Sequence, residues 1–288
     1  MKNSRKVLFL NCIVLIVFAL FLVLPLWNRP KTVQYDIVFL GDSVIGNLAG
    51  NVSVTEIVEE KLGKNTFNGA FGGTTFSYGD DPMLWGSVTN RQWSMVKLAD
   101  AIAYNDWKSP IGTMQYADFY GKVNAQSLYY FEDRMKELSA IDFSKVELLV
   151  IEHGTNDYNC GIKLDNPEDL YDITTFGGAI RHSLKVLKEA YPDLQIVIMS
   201  PVYCEFGMDG EKKCYSWDWG YGTLEDYIQL EKEIAAEYGV LYLDAYTGSG
   251  ICEENAKICL ADGLHLTEEG AGMLGDFIVT GLEVIIAE

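Results

Sequence analysis

The strongest constraint on how this chain folds is a set of short apolar runs that each stop abruptly at a polar turn. Residues 35–40, 146–151, 194–200 and 240–243 read as strands, and another precedes Asn68. A strand with one wet face alternates apolar and polar residues. Continuous runs such as Ile37-Val38-Phe39-Leu40 and Leu148-Leu149-Val150-Ile151 therefore predict strands covered on both faces. Between them, apolar residues at helical spacing predict helices over 52–62, 84–107, 127–138, 173–191, 223–238 and 267–285. Strands alternating with helices give an α/β fold: three layers, with a mostly parallel sheet between two helical ones. At 288 residues and 49% hydrophobic content, one such domain accounts for the chain after residue 35.

In a sheet of this kind ligands bind beyond the carboxyl ends of the strands, so the residues that end each run are the ones to read for chemistry. The first run ends in Gly41-Asp42-Ser43, and far downstream Asp262-Gly263-Leu264-His265 sets a carboxylate and an imidazole three residues apart. A serine hydroxyl becomes a nucleophile when an imidazole takes its proton, and a carboxylate fixes the tautomer of that imidazole. One tight turn can present both Asp262 and His265 to a cleft that Ser43 enters from the first strand. Gly-Asp-Ser alone is also a common turn, in which Asp42 caps the next segment and Ser43 faces water. The three residues together favour the hydrolytic reading. The Gly-x-Ser-x-Gly elbow of the other large esterase fold is absent, since the next glycine after Ser43 is Gly46.

Two more segments extend the pattern: Asn68-Gly69-Ala70-Phe71-Gly72-Gly73-Thr74-Thr75 after the second strand, and Glu152-His153-Gly154-Thr155-Asn156-Asp157 after the third. Taken in this order, from Tyr35 to the C-terminus, the blocks resemble the SGNH (GDSL-type) hydrolases. The four letters of that family fall on Ser43, Gly73, Asn156 and His265, with Asp262 as third member of the triad; Gly73 rather than Gly72 follows from counting five residues from Asn68. The resemblance implies a flavodoxin-like sheet, a Ser43-His265-Asp262 triad, and an oxyanion hole made of the Ser43 and Gly73 amides and the Asn156 side chain. Preorganised donors of this kind typically contribute about 2.7–4 kcal/mol each. The residue after the oxyanion glycine, often acidic or alanine in relatives, is Thr74 here.

The N-terminus bears on location. Val7 to Leu26 carries no charge and only Asn11 as a strongly polar side chain, enough to cross a hydrocarbon layer of about 30 Å as a helix. Lys2, Arg5 and Lys6 precede it, Arg29 and Lys31 follow, and no Ala-x-Ala-like cleavage site stands at its exit. The expectation is a cytoplasmic tail over 1–6, an uncleaved transmembrane anchor over 7–27, a linker over 28–34 and an extracytoplasmic hydrolase domain over 35–288. A cleaved signal peptide is the alternative.

Composition narrows the partners. The formal net charge is −19, and the stretch before Trp27 holds three basic and no acidic residues, so the exported part is more acidic still. Such a surface repels polyanions, and no basic stripe suits nucleic acid. A neutral glycan or a small acyl ester is the expected substrate, although acidic surface also serves solubility alone. With three histidines and no Cys-x-x-Cys or His-Glu-x-x-His, neither a metal nor a cofactor is implied.

Outside the predicted anchor, Cys204 with Cys214 and Cys252 with Cys259 are near pairs that either bridge or stay as thiols, leaving Cys160 over. His153 reads as a hydrogen-bonded structural histidine, His182 as a helix-surface or packing residue, and Asp157 as a turn-former. The aromatic-rich loops at 78–130 and 201–221 read mainly as packed undersides, with one or two aromatics of the second loop left for substrate. The chain is thus expected to be a membrane-anchored serine esterase. An O-acyltransferase using the same triad is the alternative among enzymes, and a catalytically silent glycan-binding protein the alternative of another class.

Overall fold

Five buried runs pair into one sheet. In the computed structural model, which describes residues 34–46, 52–79, 92–112, 128–205 and 216–286, they are β1 (Ile37–Gly41), β2 (Thr66–Asn68), β3 (Leu148–Glu152), β4 (Gln195–Met199) and β5 (Leu241–Leu243). All pairings are parallel, in the order β2-β1-β3-β4-β5. That is the flavodoxin-like order, so the mostly parallel expectation holds for every pair. Each predicted strand survives with its ends displaced by at most two residues.

Strand parity explains why none of these runs alternates with polar residues. Val38, Leu40, Leu149, Ile151, Ile196 and Ile198 pack into a core on one face, while Ile37, Phe39, Leu148, Val150, Val197 and Met199 pack on the other. Removing these side chains from water is what holds the layers together, at about 1.5–3 kcal/mol for each large aliphatic or aromatic residue.

Eight helices matter for placing the site: α1 (Ser43–Gly46), α2 (Val54–Leu62), α3 (Met95–Tyr104), α4 (Leu128–Leu138), α5 (Thr155–Asn159), α6 (Phe176–Ala190), α7 (Leu224–Tyr238) and α8 (Glu268–Ile286). α6 packs against α3 and α7 on the first face, and α2 packs against α8 on the second. In α8 the buried Ala271, Leu274, Ile278, Leu282 and Ile285 recur every three or four residues, the stripe an amphipathic helix needs to cover a sheet. α7 begins with a reciprocal cap between Thr223 and Asp226 and stops at Gly239 in a left-handed conformation.

One helix is shorter than its pattern. The predicted 84–107 segment is partly outside the described residues; within them it becomes α3, because Ser94 is extended (φ −57°, ψ 155°) and Asn105 turns left-handed (φ 51°). Trp93 and Trp107, at the two margins, are buried at 2% and 9% exposure, as the packed-underside reading expects. His182 on α6 meets Asp100 on α3 at 2.8 Å, which agrees with its reading as a packing residue.

Among the described residues no helix is long and apolar enough to cross a membrane, and the predicted anchor at 7–27 lies outside them. Cys214 lies outside them too. Cys252 and Cys259 carry free thiols, so the second near pair does not bridge; the Cys259 thiol points instead to Met273 Sδ at 3.5 Å.

Candidate active site

The strand order reverses between β1 and β3, since β2 lies beyond β1 on one side and β4 beyond β3 on the other. The crevice of such a sheet opens at the carboxyl ends of the two strands flanking that point. β1 delivers Ser43 there, and β3 delivers Asn156 through the turn that starts α5.

Ser43 is the first residue of α1, where its amide belongs to the N–H groups a helix leaves without an internal acceptor. Asp42 shapes this turn by accepting the Val44 amide at 2.9 Å on Oδ1, so the capping role foreseen for it is real. It is one of two.

His265 and Asp262 arrive on a local turn. Leu260 bridges Leu266 in antiparallel fashion, and the Ala261 amide donates to the His265 carbonyl at 2.7 Å. Gly263 takes the reversal with φ 83°, a region that would strain any residue with a Cβ. Within the turn, Asp262 Oδ1 accepts the amides of Leu264 (3.1 Å) and His265 (2.8 Å), leaving Oδ2 for His265 Nδ1 at 2.7 Å. The other ring nitrogen, Nε2, lies 2.9 Å from Ser43 Oγ. Partial burial pushes the Asp262 carboxyl up, but the His265 ring and the two amides outweigh it, and the group sits below its ordinary value. It is thus ionised where an imidazolium would need it.

Gly73 and Asn156 close the other side. The Phe71 amide donates to the Gly41 carbonyl at 2.9 Å, holding the 71–74 turn against the end of β1, and Gly73 is left-handed at φ 75°. Both protons of the Asn156 amide are engaged, one on the Thr74 carbonyl at 2.9 Å and one on Asp42 Oδ2 at 3.1 Å. All five residues singled out in the sequence therefore lie around one crevice.

Beneath them is a layer the sequence did not reveal. Asp42, Glu152, His153 and Asp157 are at 1%, 0%, 0% and 0% exposure. Asp157 accepts the amides of Phe76 at 2.8 Å and Ser77 at 3.0 Å, so it anchors the loop after Gly73 to α5 and is more than a local turn-former. His153 meets its expectation only in part. Neither ring nitrogen makes a well-formed hydrogen bond among the described residues, and the Thr74 backbone is the polar group nearest to doing so. Its ring stands edge-on to Phe76 at 5.3 Å between centroids, and burial drives its pKa down to about 3, keeping it neutral. No residue spacing announces such a floor; the only signal was an acid, Glu152, ending an otherwise apolar run.

The second aromatic loop is described at 201–205 and from Ser216 onward. Trp217, Trp219 and Tyr221 are 36%, 37% and 48% exposed, and the Tyr158 hydroxyl on α5 donates to the Trp217 carbonyl at 2.6 Å. Tyr203, from the same predicted loop, is buried.

A parallel α/β sheet with a serine, a histidine and an aspartate in one hydrogen-bonded line at its carboxyl edge is the arrangement of a serine hydrolase. The sequence pattern of the GDSL-like lipase/acylhydrolase family matches residues 39–272, and the chain belongs to that family of ester-hydrolysing enzymes. No curated protein matches it. Its fold is similar to that of a Lactobacillus plantarum protein of solved structure, at 18% identity over 88% of this chain and 98% of that one, with a TM-score of 0.56. A possible lipase from Chitinophaga pinensis is similar at 15% identity over 88% and 100%, with a TM-score of 0.55. A salicylyl-acyltransferase from a tetracycline biosynthetic pathway is similar at 14% identity over 90% of this chain and 56% of its own, with a TM-score of 0.53.

Proposed function

We propose that the chain is a membrane-anchored, extracytoplasmic carboxylesterase that removes short acyl groups, acetyl above all, from a neutral glycan or a small ester. The observation that carries the reaction is the line from Ser43 Oγ through His265 to Asp262, at 2.9 and 2.7 Å. Ser43 attacks the ester carbonyl while His265 Nε2 takes its proton, and Asp262 stabilises the imidazolium. His265 then passes the proton to the leaving alcohol, and the acyl group stays on Ser43. Water, activated by the same imidazole, releases the acid.

The oxyanion faces the Ser43 and Gly73 amides. Asn156 joins them by exchanging one of its present acceptors, the Thr74 carbonyl or Asp42, for the developing charge. Location and substrate rest on the apolar stretch Val7 to Leu26 and on the net charge of −19.

A fluorophosphonate probe tests the reaction. Labelling at Ser43 that Ser43→Ala abolishes is expected, and a folded, unlabelled wild type defeats the reading. A panel of p-nitrophenyl esters of increasing chain length then reads the acyl preference. Transfer of the acyl group to a sugar hydroxyl is the second reading, favoured by the exposure of the base: the side chains of His265 and Asp262 are 32% and 54% exposed, which leaves an acyl-enzyme open to an acceptor larger than water. Acetylated sugar formed faster than free acetate, measured by mass spectrometry, selects that reading.

A further inference from the structure

Glu152 ends β3 directly opposite Gly41, its in-register partner on β1. A Cβ on Gly41 would come within 2.8 Å of the Glu152 carbonyl oxygen and 3.1 Å of its Oε2, so the carboxyl fills the space glycine leaves, immediately below the nucleophile turn. It is fully buried, and neither oxygen makes a well-formed hydrogen bond among the described residues. A group so placed costs several kcal/mol if charged. Neither the triad nor the oxyanion donors use it.

Its neighbours say what it does. The amide and carboxyl of Asp42 face it, with Glu231 of α7 the other charged group nearby. Asp42 in turn faces Glu152, His265 and Asp157. Two carboxyls in one dry space cannot both ionise, so one proton stays between them. Asp42 has two donors fixing its charged form, the Val44 amide at 2.9 Å and the Asn156 amide at 3.1 Å, whereas Glu152 has none of that quality. The proton therefore sits on Glu152. Burial pushes both carboxyls up, Glu152 the further, which agrees with that placement.

We infer that Glu152 is a positioning residue: a protonated carboxyl that donates to Asp42 and keeps it ionised, so that Asp42 holds the Ser43 turn and the Asn156 amide together. The role rests on the esterase reading above. Ionised Asp42 also favours the His265 cation that forms during attack. Losing the donor from position 152 makes Asp42 easier to protonate. Once neutral, it releases Asn156 and no longer supports the cation.

The test compares Glu152→Gln, which keeps an N–H donor of nearly the same shape, with Glu152→Leu, which removes it. Fluorophosphonate labelling and p-nitrophenyl acetate turnover are followed from about pH 5 to about pH 9. In E152L the acid-side fall of kcat is expected to move to higher pH, with kcat at pH 6 down by about tenfold and KM unchanged, while E152Q retains the wild-type limb within about threefold. Loss of equal size at every pH, or the same profile in both variants, assigns Glu152 to packing only and overturns the inference. Infrared difference spectra of wild type against E152Q supply a readout independent of turnover. A protonated carboxyl band lost in E152Q at neutral pH is expected, and its absence overturns the inference as well. If wild type does not label while the band is present, the esterase reading fails and the protonation of Glu152 stands.

Discussion

Asp262 and Glu152 are both acids of the same crevice, yet the Asp262 side chain is 54% exposed and Glu152 is fully buried. Water and three N–H groups surround the first; a strand partner and another carboxyl surround the second. The exposed acid is held ionised by specific bonds, and the buried one is held neutral by its surroundings. The rim can thus be charged because it is wet and bonded, whereas the floor is dry and its paired carboxyls cannot both be charged. In the proposed reaction, polar chemistry is done at the rim and shaped from the floor.

Breaking the rim should cost the most activity and the least stability. Ser43→Ala and His265→Ala are each expected to lower kcat/KM by about 10⁴-fold or more, and Asp262→Ala by roughly tenfold less, because an aspartate acts through the imidazole. Calorimetry should find the Ser43→Ala melting temperature unchanged, since Ser43 packs little. Breaking the floor should do the reverse. Asp157→Ala leaves the buried amides of Phe76 and Ser77 without their acceptor, at an expected cost of about 2–4 kcal/mol in urea unfolding. A variant as stable as wild type would show that the loop is held by something else.

The two regions also respond to pH with opposite signs. The carboxyls of Glu152 and Glu231 are raised by burial, so the folded chain keeps protons that the unfolded chain releases. Their contribution to stability is complete below the ordinary carboxylate range, around pH 4, and is lost as pH rises through the folded values. Asp262, lowered in the folded state, contributes above that range and loses its share as pH falls through its folded value. The melting temperature should therefore decline from weakly acidic to alkaline pH, and Glu231→Gln should flatten that decline. A slope unaltered in Glu231→Gln would remove this residue from the account. The smallest effect belongs to the exposed pair of Lys61 with Asp276, where Lys61→Ala should change stability by less than about 0.5 kcal/mol.

The sheet was legible because runs such as Leu148-Leu149-Val150-Ile151 are short, partly β-branched and stopped by polar turns, which favours a strand covered on both faces over a buried helix. The residues of the rim were legible for a different reason: Asp262 and His265 lie within one turn, and their spacing survives folding. Long-range relations left no such trace. That Asp157 reaches back to the amides of Phe76 and Ser77, some eighty positions earlier, depends on how two loops meet. The floor depends on the β1–β3 register, which sets Glu152 against Gly41 and which no local pattern encodes. Helix ends such as Ser94 and Asn105 were missed because backbone conformation at a polar residue is decided by packing around it.

The turn that carries both Asp262 and His265 gives the enzyme a sense of its own completeness. Base and acid are assembled by neighbours in sequence, but the contact of His265 with Ser43 spans 222 positions. On the proposed triad, a growing chain makes its serine 222 positions before its base, so the hydroxyl stays unreactive until the 262–265 turn has been synthesised and docked. Catalytic competence then reports the docking of the turn: recovery of probe labelling during refolding should track the docking of the 262–265 turn with α8 beside it, and no earlier event.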